Sequence, residues 1–90
     1  MVDLIWDTAF KRSYKKRIKA DTVLKENFWN ALELFSKSPF DSYLKTHELT
    51  GKLNGLWAFS VAYDCRVIFK FFNNNKSALL IDIGTHDEVY

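Results

Sequence analysis

The sequence predicts an α+β fold of order β-α-α-β-β-β, in which a helix hairpin packs on one face of a small, mostly antiparallel sheet. Two amphipathic helical patterns occupy the first half of the chain, and three segments of alternating apolar residues with short connectors occupy the second half. A strand-like segment, VDLIW, precedes both helices. Helices and strands that are segregated along the chain are typical of α+β domains.

Length and composition indicate one compact domain, residues 1–90. The chain has 90 residues, of which 48% are hydrophobic and 17% aromatic, and this composition is too apolar for a disordered protein. The single cysteine, Cys65, excludes an internal disulfide framework. The sequence has no apolar run near the roughly 18–20 residues that span a bilayer, and its N-terminus does not resemble a signal peptide. We therefore expect a cytoplasmic protein without membrane association.

The first predicted helix begins at Asp7 or Thr8, both of which are good N-caps. Its apolar face consists of Phe10, Tyr14 and Ile18. Its outward arc carries five basic residues, Lys11, Arg12, Lys15, Lys16 and Lys19. Such a basic stripe favours an anionic partner, although a solvated helix face has the same pattern.

The second predicted helix begins at Asp21 and Thr22 and ends before Pro39, which cannot continue a helix. Its apolar face consists of Leu24, Phe28, Ala31, Leu32 and Phe35. Turn-forming residues without clear periodicity follow, so residues 39–55 are predicted to form a loop that contains His47.

Three strands should follow as an antiparallel meander, because the connectors AYDC and NNNK are short. Their alternating apolar sets are Trp57, Phe59 and Val61, then Val67, Phe69 and Phe71, then Leu79, Ile81 and Ile83. With NNNK as the last turn, Arg66 lies opposite about Ile83 and Asp64 opposite about Thr85. The residue after Thr85, His86, should therefore arrive beside Arg66.

The preceding hairpin brings Ser60 to the same corner, since a turn near Tyr63 and Asp64 pairs Ser60 with about Val67. A one-residue slip would reverse the face that each side chain occupies, so this register predicts proximity rather than orientation.

The residue types in this corner suit metal-free cleavage of a phosphodiester. A base must take the proton of a ribose 2′-OH, a cation must stabilise charge on the phosphate, and an acid must protonate the leaving 5′-oxygen. Histidine supplies the acid or base near neutral pH, and the arginine fork binds two phosphate oxygens. The candidate catalytic residues are His47, Asp64, Arg66 and His86.

Other interpretations of these residues remain open. Arg66 can form a structural salt bridge with Asp64 or Asp82, and the histidines can be inert surface residues. A metal site built from His47, Asp64, Asp82, His86 and Asp87 is disfavoured because these residues lack a metal-ligand spacing. We expect neither a metal nor a cofactor. Motifs of phosphate-binding loops, dinucleotide folds and serine hydrolases are missing from the sequence.

Three segments resemble the RelE/ParE superfamily of type II toxin–antitoxin toxins, and its YafQ-like branch most closely. They are the HELTG loop, the YDCRVIF strand and the GTH tail, and the resemblance spans nearly the whole chain. It implies a microbial-ribonuclease-like fold and an endoribonuclease that enters the ribosomal A site, cleaves mRNA without metal and leaves a 2′,3′-cyclic phosphate.

The resemblance also implies partners and roles. An antitoxin neutralises such a toxin, which is expected to be a monomer when free and part of a hetero-oligomer with its antitoxin. By position, His47, Asp64 and His86 match catalytic residues, Tyr90 a base-stacking aromatic, and Arg66 a phosphate-binding arginine. The candidate RNA-binding residues that the resemblance implies are Lys11, Arg12, Lys15, Lys16, Lys19, Lys52 and Tyr90. YafQ-like enzymes commonly have a histidine where this chain has Ser60. The alternative is a ParE-like toxin that inhibits DNA gyrase and cleaves no RNA.

Overall fold

The computed structural model describes residues 1–85 and has the predicted α+β architecture. In this range its helices and strands are β1 (Asp3–Trp6), α1 (Thr8–Arg17), α2 (Thr22–Lys37), β2 (His47–Glu48), β3 (Trp57–Ala62), β4 (Cys65–Phe72) and β5 (Ser77–Gly84). These strands form one sheet in the order β1-β5-β4-β3-β2. β1 is parallel to β5, and the other neighbours are antiparallel, which confirms the predicted meander.

The helix boundaries follow the predicted signals. The Asp21 carboxylate accepts a hydrogen bond from Leu24 N at 3.0 Å, which satisfies one of the unpaired amides at the start of α2. Asp7 is the N-cap of α1, but its side chain makes no capping bond. α2 ends at Lys37, two residues before Pro39. No helix in the described part of the chain is long and apolar enough to cross a membrane.

Both helices pack on one face of the sheet, where an aromatic core forms. Phe35 of α2 is fully buried, and its ring centroid lies 4.5 Å from that of Phe59 and 4.7 Å from that of Phe69. At the other end of the helix pair, Trp6 contacts Phe10 edge to face at 4.9 Å and stacks on Trp29 at 5.8 Å. Aromatic pairs at these distances add to the free energy gained from burial.

The opposite face of the sheet is partly covered by residues 49–56, part of the segment that the sequence predicts to be a loop. Leu49 and Ala58 are buried there, and the partly buried side chains of Leu53, Leu56 and Ile68 pack against them. The loop prediction is wrong for His47, which lies in β2 and pairs with Ala58 of β3. The two-residue strand is too short to give a periodic pattern in the sequence.

Irregularities in the sheet shift the predicted register by one residue near the candidate site. Phe72 pairs with Ser77, as the position of the NNNK turn predicts. Further along the ladder, Phe69 pairs with Leu80 but Ile68 pairs with Asp82, so β5 has one extra residue at this point. This bulge makes Arg66 pair with Gly84. The bulge also changes which β5 residues face the helices. The buried residues there are Ala78, Leu80 and Ile83 rather than the predicted Leu79, Ile81 and Ile83.

The last hairpin turns at the asparagines of the NNNK connector. Asn73, Asn74 and Asn75 have φ of 55°, 56° and 62°. Asparagine tolerates this left-handed conformation better than most residues because its short side chain can bond locally to the backbone. The turn thus fixes the start of β5, and the pairing of β4 with β5 carries Gly84 to Arg66.

Candidate functional site

A cleft of about 360 Å³ lies where β3 turns into β4. One wall is the end of β3 with its turn and Arg66, and the other is a 3₁₀ turn at Ser42–Leu44 with the following Lys45. The lining residues are Ser42, Tyr43, Lys45, Ser60, Val61, Ala62, Tyr63 and Arg66. Among residues 1–85, those that line the cleft contribute two cationic side chains, four hydroxyl groups and no carboxylate. This composition suits an anionic ligand.

Arg66 is held by backbone carbonyls of the β3–β4 turn. Its Nη1 donates to Ala62 O at 2.9 Å, to Tyr63 O at 3.1 Å and to Cys65 O at 3.3 Å. The guanidinium has five N–H donors in one plane. The contacts of Nη1 hold the orientation of that plane, and the donors on Nε and Nη2 can form hydrogen bonds to a ligand. A half-buried, pre-oriented fork of this kind can bind two oxygens of a phosphate.

Ser60 lies directly opposite Arg66 in the β3–β4 ladder, one position from the predicted pairing with Val67. Residues directly opposite each other in antiparallel strands share a face of the sheet, with Cβ atoms about 4.5–5.5 Å apart. The Ser60 hydroxyl therefore belongs to the same cleft wall as the guanidinium. Gly84 pairs with Arg66 on the other side and adds no side chain there.

His47 is exposed on β2, beside the cleft but not in its lining. Its Nδ1 lies 2.9 Å from the Lys45 carbonyl oxygen. Because a carbonyl can only accept, Nδ1 must carry the proton, and Nε2 carries the lone pair in the neutral ring. His47 pairs with Ala58, which is two residues from Ser60, the partner of Arg66. His47 and Arg66 are therefore separated by two strand spacings across the sheet and by two residues along it, which places their Cα atoms roughly 12 Å apart.

Asp64 lies in the Tyr63–Asp64 turn and is exposed, so the structure brings it to the turn whose carbonyls hold Arg66. It is not part of the cleft lining. Asp82, a suggested partner of Arg66, instead accepts hydrogen bonds from Ser13 Oγ at 2.6 Å and from Ile83 N at 2.8 Å. Asp82 thus anchors α1 to β5.

Cys65 is a core residue at the start of β4. Its side chain is buried in the helix-facing cluster. Burial raises the pKa of the Cys65 thiol from 9.0 to about 11, against the opposing effect of the nearby Arg17 and Arg66 charges. A thiol with this pKa is protonated near neutral pH and is a poor nucleophile.

The predicted basic surface is exposed. Exposed side chains on and just after α1 are Lys11, Arg12, Lys15, Lys16 and Lys19. Lys52 is exposed on a 3₁₀ turn at Gly51–Leu53. The buried residues of this helical segment are Phe10 and Ile18, so the predicted division into an apolar and a basic face is confirmed.

Two predicted site residues, His86 and Tyr90, lie outside the described residues, as does Asp87 of the alternative metal set. Within residues 1–85, no group of three His, Cys, Asp or Glu side chains is arranged to hold a metal ion.

Sequence reasoning assigned Ser60 and Arg66 to the site and missed the other six lining residues of the cleft, which are Ser42, Tyr43, Lys45, Val61, Ala62 and Tyr63. Tyr43 and Lys45 lie in the segment interpreted as an irregular loop, and no periodic pattern marks them. Asp41 was the available signal, because its carboxylate accepts from Tyr43 N at 2.9 Å and starts the 3₁₀ turn.

A family model matches residues 2–90, and it describes the bacterial toxin YafQ of type II toxin–antitoxin systems. This chain belongs to the YafQ toxin family. The match covers all the candidate site residues, including those after residue 85. No match was found among curated proteins.

Solved structures of related toxins share the fold of this YafQ-family chain. A YoeB/ParE toxin from Agrobacterium tumefaciens has a TM-score of 0.77 at 18% identity, covering 94% of this chain and 99% of that chain. YafQ from E. coli strain BL21(DE3) has a TM-score of 0.73 at 19% identity, covering 100% and 99%. The YoeB-YefM complex from Staphylococcus aureus matches with a TM-score of 0.73 at 11% identity, covering 96% and 98%.

Proposed function

We propose that this YafQ-family toxin is a ribosome-dependent endoribonuclease that cleaves mRNA through the ribose 2′-OH without a metal ion. The observation that carries the proposal is the cationic cleft, in which three carbonyl contacts hold the Arg66 guanidinium opposite Ser60, with Lys45 on the other wall. His47, with its lone pair on Nε2, lies next to this cleft. The family membership supports the same function.

In this proposal Arg66 binds the scissile phosphate. Because Nη1 is held by backbone carbonyls, the whole planar guanidinium has a fixed orientation, including its Nε and Nη2 donors. These donors therefore need little reorganisation when negative charge develops on the phosphate oxygens. Lys45 adds a second positive charge on the opposite wall of the cleft. Binding that strengthens as charge develops lowers the barrier of the cleavage step.

His47 or Asp64 acts as the general base and takes the proton from the ribose 2′-OH. The 2′-oxygen then forms a bond to phosphorus, and the bond from phosphorus to the leaving 5′-oxygen breaks. His86, which directly follows Thr85 in the sequence, acts as the general acid and protonates that oxygen. The products are a 2′,3′-cyclic phosphate and a free 5′-OH.

The basic surface on α1 contacts ribosomal RNA phosphates in this proposal, and Lys52 extends the positive charge toward the messenger. Tyr90 stacks on a base. The toxin acts in the cytoplasm, where translation takes place. The YoeB-YefM complex supports a protein partner of the antitoxin type that neutralises this toxin in a hetero-oligomer, whereas the free toxin is a monomer.

The test is to induce the wild type and Arg66→Ala in cells and to map mRNA 5′ ends. The expected result is in-frame cuts in translated messengers for the wild type and few or none for the variant, with both proteins folded by circular dichroism. Growth arrest with DNA damage and intact messengers would overturn the proposal in favour of a ParE-like gyrase inhibitor.

A further inference from the structure

A second cleft, of about 280 Å³, adjoins the cleft of Arg66 and has no role in the mechanism above. It lies between α2 and the end of β3, and its lining residues are Asn27, Asn30, Ala31, Leu34, Tyr43 and Val61. Tyr43 and Val61 line both clefts, so the two clefts adjoin at these residues.

The chemistry of the second cleft differs from that of the first. None of its lining residues in the described part of the chain is charged, and its floor is apolar because Ala31 and Val61 are buried. Asn27 and Asn30, three residues apart on α2, lie on the same side of that helix. Within residues 1–85, neither carboxamide side chain has a hydrogen-bond partner.

We propose that this second cleft binds the nucleobase of a nucleotide adjoining the scissile phosphate. The proposal rests on the proposed function, since it assigns the Arg66 cleft to the phosphate. Each carboxamide has donors and an acceptor in one plane, as the edges of RNA bases require. Recognition of single-stranded RNA depends on such edge contacts and on aromatic side chains that stack on the base.

Tyr43 supplies the aromatic surface between the two clefts. Its side chain is 79% exposed, although its backbone is fixed by the Asp41 carboxylate. A large aromatic that is held in place and left uncovered can stack on a base without first losing packing in the core. The polarity pattern therefore matches one nucleotide, with the phosphate at Arg66, the base at the asparagines and Tyr43 beside it.

Nuclear magnetic resonance of the uniformly ¹⁵N-labelled wild type tests the assignment. Titration with inorganic phosphate should shift the Arg66 side-chain signal and leave the side-chain amides of Asn27 and Asn30 unchanged. Titration with nucleoside 3′- or 5′-monophosphates should shift all three groups, with a preference for one base. Nucleotides that leave both side-chain amides unchanged would overturn the base subsite.

Asn27→Ala and Asn30→Ala should each weaken binding of the preferred nucleotide by about 5-fold to 100-fold and leave phosphate binding unchanged. Because alanine has the higher helix propensity, neither substitution at these exposed helix positions should reduce folding stability. The matched control is Asn54→Ala, an exposed asparagine that lines neither cleft. Equal affinities for the helix variants and the wild type would overturn the proposal.

The two titrations separate this inference from the proposed function. If the asparagine amides respond to nucleotides but Arg66 responds to neither ligand, the base subsite stands and the phosphate site fails. If Arg66 responds and the asparagines do not, the reverse holds. In cells, Asn30→Ala should cut messengers less often and with a weaker base preference beside the cut; an unchanged preference would also contradict the subsite.

Discussion

Arg66 on β4 lies directly opposite Ser60 on β3, and its Nη1 is held by carbonyl oxygens of the turn that joins these two strands. The pairing places a hydroxyl, which cannot act as an acid or base near neutral pH, next to the fixed cation. In the proposed nuclease, proton transfer must therefore come from other residues, and Arg66 has a purely electrostatic task.

Arg66→Lys should lower the rate of mRNA cleavage by roughly 10²–10³-fold. The ammonium group of lysine lacks the rigid planar set of donors with which arginine can bind the turn carbonyls and a phosphate at the same time. The measurement is single-turnover cleavage of ribosome-bound mRNA. Lys70→Ala, which removes an exposed cation from the same strand, should stay within a few-fold of the wild type. A lysine variant with nearly full activity would show that charge alone is sufficient at this position.

His47→Gln should lower the cleavage rate by roughly 10²–10⁴-fold if His47 is the general base, because glutamine cannot take a proton. The matched control is Glu48→Gln, the other residue of β2, whose side chain is also exposed. The same single-turnover assay applies, with substrate affinity measured separately. If both variants retain wild-type rates, Asp64 becomes the candidate for the base.

Much of the fold was predictable because local signals and the apolar pattern agree. The N-cap Asp21, the helix-stopping Pro39 and the NNNK turn each fixed a boundary that the structure confirms. The proximity of Ser60 and Arg66 followed from turn lengths alone. Their direct pairing did not, because a bulge in β3 between Ser60 and Ala62 shifts the register by one residue and leaves no distinct mark in an apolar strand.

The walls of the site were less predictable. Tyr43 and Lys45 reach the cleft through a 3₁₀ turn and a left-handed residue, since Lys45 has φ of 53°. Such a path depends on tertiary packing rather than on sequence periodicity. The second cleft was missed for a related reason, because its asparagines lie on the polar side of α2, where a sequence pattern cannot distinguish a solvated surface from a binding site.

Phe35→Ala should lower the free energy of unfolding by about 3–5 kcal/mol, because it leaves a cavity among buried aromatic rings. Phe35 is fully buried and contacts both Phe59 and Phe69. The measurement is chemical denaturation followed by tryptophan fluorescence. Val23→Ala, at a position 70% exposed on the same helix, should change the free energy by less than about 0.5 kcal/mol. A small effect at Phe35 would mean that the core repacks.

Replacing Lys15 and Lys16 together by glutamine should weaken ribosome binding and reduce its dependence on salt. Both side chains are exposed near the end of α1. For each phosphate-binding lysine that is removed, the magnitude of the slope of log affinity against log salt concentration should fall by about 0.7–0.9. Binding to ribosomes at several salt concentrations measures this slope. The control is Lys37→Gln, which removes a lysine paired with Glu33 at 3.0 Å on the other helix. An unchanged slope in the double variant would mean that these α1 lysines do not contact RNA phosphates.

Cys65 should make folding stability fall as the pH rises above about 9. Burial raises the pKa of its thiol from 9.0 to about 11, so between these values the unfolded chain loses this proton while the folded chain keeps it. Because the unfolded state then binds fewer protons, the free energy of unfolding decreases with pH through this window and the contribution is fully present below it. Cys65→Ala removes the titrating group, so its stability should decline less steeply across the same interval. Denaturation of both proteins at intervals from pH 8 to pH 11 measures the difference between their free energies of unfolding. The lysines and tyrosines titrate in both proteins, so their contribution cancels in this difference. Parallel curves would mean that the thiol ionises as readily in the folded protein as in the unfolded chain.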